Sequence, residues 1–140
     1  MKMQVLYFSK NGMAQQLAYA VSTELQCKCD NIPPAFPPET EKVIFIGMEA
    51  FSAPAKNIVE FCKTLNPSRT KNVAFFTVAK DDSPALDSLK AMLTANGVKV
   101  VENNFNCVVK RSFFKSGNIT ADDLANIKTW ASAVVESLKQ

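Results

Sequence analysis

Hydrophobic residues in this chain come in two patterns: short unbroken runs, and stretches where they recur every three or four positions. Unbroken runs predict strands covered on both faces; the helical spacing predicts amphipathic helices laid against them. Met3–Phe8 is the first run, apolar or aromatic throughout Val5-Leu6-Tyr7-Phe8. After a turn at Ser9–Gly12, the spacing of Met13, Leu17, Ala20, Val21 and Leu25 predicts a helix from 13 to about 26. Lys28–Ile32 predicts a short, weak strand, and Pro33, Pro34, Pro37 and Pro38 then predict a stiff connector without regular structure. Val43-Ile44-Phe45-Ile46 is the next buried run, read as ending at Gly47. Pro54 predicts the first turn of a helix with Ile58, Phe61, Cys62 and Leu65 inward, stopped by Asn66-Pro67-Ser68. Val73–Val78 is a third buried strand. Ser83 as cap and Pro84 behind it open a helix carrying Leu86, Leu89 and Leu93, closed by Asn96-Gly97. Val98–Val101 and Phe105–Val109 read as one interrupted strand or as two segments. Thr120 caps a final helix with Asp122 and Asp123 in its first turn. Leu124, Ile127, Ala131, Val134 and Leu138 form its inner stripe, flanked by Trp130.

This βα-β-βα-βα-βα order predicts an α/β protein: one domain over residues 1–140, a parallel sheet between two helical layers, a three-layer α/β/α sandwich. The segment at 28–32 is expected at a sheet edge, with the Pro-rich connector covering one face irregularly. In such a sheet ligands bind outside the carboxyl ends of the strands, where the strand order switches. The candidate segments are therefore Ser9–Ala14, Gly47–Pro54, Ala79–Ser83 and Lys110–Gly117.

Composition narrows the chemistry. A chain of 140 residues buries about 68–70% of its unfolded surface and needs no disulfide or metal staple. With 47% hydrophobic and 21% charged residues it is neither disordered nor low-complexity. Its apolar runs are too short to span a bilayer, and Met1-Lys2-Met3 leads into a strand with no signal-peptide core, so a cytoplasmic protein without a membrane partner is expected. A net charge of +3 is no nucleic-acid signature. Lys110, Arg111 and Lys115 with Phe113 and Phe114 between them read as a solvated loop with two anchoring aromatics. Cys27, Cys29, Cys62 and Cys107 match no metal spacing and are expected to be reduced and half-buried. No histidine is present, which excludes Ser-His and Cys-His nucleophile pairs and any imidazole base. Redox or group-transfer chemistry would then rest on an external cofactor.

The turn Ser9-Lys10-Asn11-Gly12-Met13-Ala14 is the most informative segment. It joins a strand to a helix and offers unpaired backbone N–H groups at the positive helix end, with Ser9 and Asn11 as side-chain donors and Lys10 as a charge. Gly12 admits positive φ or close approach. Together these suit a phosphate; the same turn also serves as a bare helix N-terminus with an Asn or Gly cap.

Val5 to Ala14 resembles the opening of a flavodoxin: an apolar strand, a Ser/Thr-x-Thr-Gly-x-Thr loop and an amphipathic helix. Val43–Gly47 followed by Met48-Glu49-Ala50-Phe51 is similar to the third flavodoxin strand and its Gly-x-Pro-x-aromatic loop. The resemblance covers essentially the whole chain in element order. It implies a five-stranded sheet of order 2-1-3-4-5 with FMN at the switch point. The implied activity is electron transfer by a bound flavin, with no catalytic acid or base and no metal. Ser9, Lys10, Asn11, Gly12, Met13 and Ala14 would hold the phosphate, and Met48, Glu49, Ala50 and Phe51 the ring, with Ala79 and Lys80 in the third loop. Asn11 and Ala14 stand where the family has threonines. Ala14 removes a donor, a loss of about 1.5–3 kcal/mol against a charged oxygen, which the Lys10 charge would offset. Phe51 would stack on the ring, worth roughly 0.5–1.5 kcal/mol beyond burial. Glu49 replaces proline, and a carboxylate beside a flavin that takes on negative charge is unfavourable. A redox protein partner is implied, chosen by something other than the acidic surface usual in the family, and a monomer or weak homodimer is expected. Two alternatives share this site: a flavin-dependent NAD(P)H or quinone reductase, and a flavodoxin-fold module that has lost FMN.

Overall fold

A computed structural model of the chain describes residues 1–79, 84–109 and 119–139. The elements follow the order β1 (Met3–Phe8), α1 (Met13–Leu25), β2 (Lys28–Asn31), β3 (Glu41–Glu49), α2 (Lys56–Lys63), β4 (Thr70–Ala79), α3 (Asp87–Ala95), β5 (Lys99–Val100), β6 (Phe105–Val108) and α4 (Ala121–Leu138). All strand pairs are parallel, and the sheet runs β2-β1-β3-β4-β5. β6 pairs with β4 as well, beside Phe76–Ala79, whereas β5 lies beside Asn72–Val73. The two short segments thus share the fifth position of a 2-1-3-4-5 sheet, and β2 is its edge.

Each side of the sheet has its own core. Val5, Tyr7, Val43, Phe45 and Phe76 point toward α1 and α4, meeting Leu17, Val21, Ile127 and Ala131. Leu6, Ile44, Ile46, Met48 and Phe75 point the other way, toward α2 and α3, meeting Ile58, Phe61, Leu89 and Leu93. The unbroken apolar runs are thereby explained: alternate residues leave on opposite faces, and both faces are covered. Burying each such large side chain contributes roughly 1.5–3 kcal/mol, set against the entropy of ordering it. Trp130 flanks the first core as expected. Its ring meets Phe45 and Phe76 edge-on, with centroids 5.6 and 6.4 Å apart, and its indole N–H donates to the Asn103 carbonyl at 2.7 Å.

Three boundaries differ from the sequence reading. β3 does not stop at Gly47 but runs on to Glu49. Gly47 is required inside the strand because a Cβ there would lie 2.0 Å from the Phe76 ring, which fills the missing side chain's place. Pro54 lies just outside α2, whose N-cap is Ala55. Pro84 opens a single 3₁₀ turn, Pro84–Leu86, and α3 proper begins at Asp87; Ser83 lies outside the described residues. The Thr120 cap is present with a full capping box: the Asp123 N–H donates to Thr120 Oγ1 and the Thr120 N–H to the Asp123 carboxylate.

All four cysteines are free, Cys27 and Cys29 half-buried, Cys62 and Cys107 fully buried. Burial pushes the first two thiols up to about 11 and the last two to about 12, away from nucleophilic reactivity. Among the described residues no helix is long and apolar enough to cross a membrane.

Candidate functional site: an oxyanion cradle at the end of β1

Parallel pairing sets Phe8, the last residue of β1, against Met48 of β3. The chain leaving β1 turns into α1 on one face, while the chain leaving β3 goes to α2 on the other. The β1–α1 loop and the end of β3 thus face each other at the switch in strand order, where ligands of such sheets bind.

Gly12 is the N-cap of α1 and takes φ +86°, one of the two uses the sequence reading allowed it. It supplies no side-chain cap, so the orphaned N–H groups of the first turn find other acceptors. Asn11 Oδ1 accepts from the Met13 N–H at 3.0 Å, and Ser9 Oγ accepts from the Gly12 N–H at 3.0 Å. The other donors of the loop converge on one group, the carboxylate of Glu49. The Ser9 hydroxyl donates to its Oε2 at 2.6 Å and the Ala14 N–H to the same oxygen at 2.8 Å. The Lys10 N–H donates to Oε1 at 2.6 Å and the Asn11 N–H at 3.3 Å. Hydrogen bonds to a charged acceptor are worth about 1.5–3 kcal/mol each, without adding simply. The positive end of α1 favours the negative charge further.

The sequence reading brought Ser9, Lys10, Asn11, Gly12, Met13 and Ala14 together as an oxyanion loop; Ser9, Lys10, Asn11 and Ala14 donate to the Glu49 carboxylate, while the Gly12 and Met13 N–H groups are used within the loop. Individual roles differ. Asn11 gives its backbone N–H, while its side chain caps Met13 rather than facing an anion. Lys10 contributes its N–H, with an exposed side chain. Met48 and Ala50 were expected at the ring through their backbone, and Ala79 in the third loop; the side chains of all three are buried in the α2–α3 core. Glu49, read as a member of the ring loop, instead has its carboxylate in the β1–α1 loop. Its direction was available in the strand period: Val43, Phe45 and Gly47 share its parity and face α1. Lys80 and the loop with Phe113 and Phe114 lie outside the described residues.

Phe51 is half-buried against the α1–α4 core. It lines a cavity of about 270 Å³ together with Phe8, Lys10, Asn11, Glu49 and Ile58, and a second hollow of about 520 Å³ toward the start of α3. On the α1 face, Tyr7 and Tyr19 meet edge-on at 5.9 Å, and Gln15 donates to both hydroxyls. Burial, then the bond with Tyr19, pushes the Tyr7 hydroxyl up to about 12, so it stays protonated and neutral.

No protein-family profile matches this chain, and no curated protein is similar to it in sequence. Solved structures are similar over the whole chain. A flavodoxin from the domain Archaea superposes with a TM-score of 0.79 at 15% identity, covering 100% of both chains. Flavodoxin 2 from Bacillus cereus gives 0.71 at 12% identity, covering 98% of this chain and 99% of that one. Rubredoxin:oxygen oxidoreductase from Desulfovibrio gigas gives 0.70 at 14% identity, with 99% of this chain matching 36% of the larger protein. The chain therefore has the flavodoxin fold.

That fold implies a flavin, usually FMN, and the site tests the implication. An FMN phosphate would need the donors that Glu49 now takes, and would bring a second negative group against a carboxylate anchored at the end of β3. With Glu49 in the cradle, these residues do not fit a flavin phosphate.

Proposed function

We propose that this chain is a flavin-binding electron-transfer protein of flavodoxin type, with the ring seated beside Phe51 at the carboxyl end of the sheet. The observation that carries the reading is the cavity at the carboxyl end of the sheet, lined by Phe8, Lys10, Asn11, Glu49 and Phe51. Beside it, Ser9 and three backbone N–H groups converge on an oxyanion at the switch in strand order, here the chain's own Glu49 carboxylate. Phe51, half-buried against the α1–α4 core, borders this cavity and a second hollow. A bound flavin would supply one- and two-electron chemistry; the protein's part is to bind, orient and desolvate the ring. A redox protein is the natural partner class, and a cytoplasmic setting suits the free thiols.

The visible absorption spectrum tests this reading. Protein mixed with riboflavin or with FMN and then desalted should retain a flavin band with quenched fluorescence. Steady-state NAD(P)H oxidation by the loaded protein separates a reductase from a carrier. One observation favours a second reading, a flavodoxin-fold module without flavin: the chain's own carboxylate fills the cradle. Protein that retains neither flavin supports that second reading.

A further inference from the structure

We propose that Glu49 is an intramolecular occupant of the oxyanion cradle and selects the class of flavin, admitting one without a terminal phosphate, as in riboflavin, and excluding one that carries it. The ligand class rests on the flavin reading above; the exclusion of phosphate does not.

The backbone N–H groups of residues 10 to 14 are all engaged. Of its backbone N–H groups, those of Lys10, Asn11 and Ala14 go to Glu49, that of Gly12 to Ser9 Oγ and that of Met13 to Asn11 Oδ1. The Ser9 hydroxyl proton also goes to Glu49. Both carboxylate oxygens accept two hydrogen bonds, so the cradle is closed from both sides. Nor can the charge be carried away. Glu49 is the last residue of β3, paired with Val78, and the next residue, Ala50, is buried with its N–H bonded to the Val78 carbonyl at 2.7 Å. Swung out of the loop, the carboxylate stays within a side chain's length of it, where it repels an incoming phosphate. A phosphate-free flavin needs none of these donors and brings no charge. It can use Phe51 and the cavity beside it, of which Glu49 forms one wall.

The test titrates the full chain and its Glu49→Ala and Glu49→Gln variants with riboflavin, FMN and inorganic phosphate. Flavin binding is read by fluorescence quenching, phosphate binding by the shift in thermal midpoint. Circular dichroism identifies folded variants, and Gln, matching the size of Glu, guards against loss of the alanine protein. The wild type should bind riboflavin more tightly than FMN, by roughly tenfold to a hundredfold, the worth of about one hydrogen bond to a charged group. Both variants should reverse that order, and phosphate should stabilise the variants but not the wild type. Wild type binding FMN as tightly as riboflavin, with the ratio unchanged in the variants, overturns the selection. If neither flavin binds any of the three proteins, the flavin reading and the ligand class fall together. The phosphate arm still decides the rest: stabilisation confined to the variants upholds Glu49 as the occupant, and none in any protein, or the same in all three, overturns it.

Discussion

At the scale of single residues, Glu49 does two jobs that a sequence alone separates. It ends a strand, and it caps a helix through the N–H of Ala14, thirty-five positions earlier. Gly12 and Ala14 bring no side chain that can cap α1, and Asn11 serves only the Met13 N–H, so Glu49 stands in for an N-cap supplied from another strand. Replacing it with alanine should lower folding stability by about 1–3 kcal/mol, the range for stripping an acceptor from orphaned helix donors. Urea unfolding of the two proteins checks this, and an unchanged midpoint would mean that water serves the loop equally well. Gly12 was also expected to allow close approach. Its positive φ is real, but a Cβ there would meet nothing within 4 Å. The backbone conformation, not space, is therefore what demands glycine in this state.

At the scale of elements, β3 shows how one strand serves two cores and a site. Its odd residues face α1 and its even residues face α2, and the same alternation delivers residue 49 to the loop. Gly47 is the gap in the odd row that Phe76 of β4 fills. Gly47→Ala should be strongly destabilising, because the ring in the way belongs to a fully buried residue in the central sheet. Overpacking of this kind costs about 1–3 kcal/mol or more. A thermal melt within a degree or two of wild type would show that Phe76 can turn aside. The strands and helices themselves were legible, since periodicity depends only on an element's own residues. Boundaries were less so: the end of β3 and the start of α3 depend on what packs against them.

For the whole molecule, the two ends of the sheet carry carboxylates in opposite circumstances. Glu49, at the carboxyl end, has four donors. Glu41, at the start of β3, is buried with one oxygen lacking a hydrogen-bond partner, as does the amide oxygen of nearby Gln4. Burial raises the Glu41 pKa above its ordinary 4.5, against the smaller pull of Lys2 and Lys28. The folded protein thus holds that proton to higher pH than the unfolded chain. Its contribution is fully present below the ordinary value and is lost as pH rises through the folded one. Glu41→Gln should therefore gain stability relative to wild type as pH rises from below the ordinary 4.5 to above it. Urea midpoints across that range test it, and a widening advantage for wild type would refute it.

The sequence by itself determined the order of strands and helices, the two covered faces, the capped last helix and the place of the oxyanion loop. Each of these follows from neighbours along the chain, through the periods of helix and strand and the chemistry of a turn. Only the tertiary structure decided what fills that loop. Ser9 and Glu49 are forty positions apart, and no local pattern joins them. The parallel register of β1 and β3 brings them face to face, and the unmet donors at the start of α1 draw the carboxylate in.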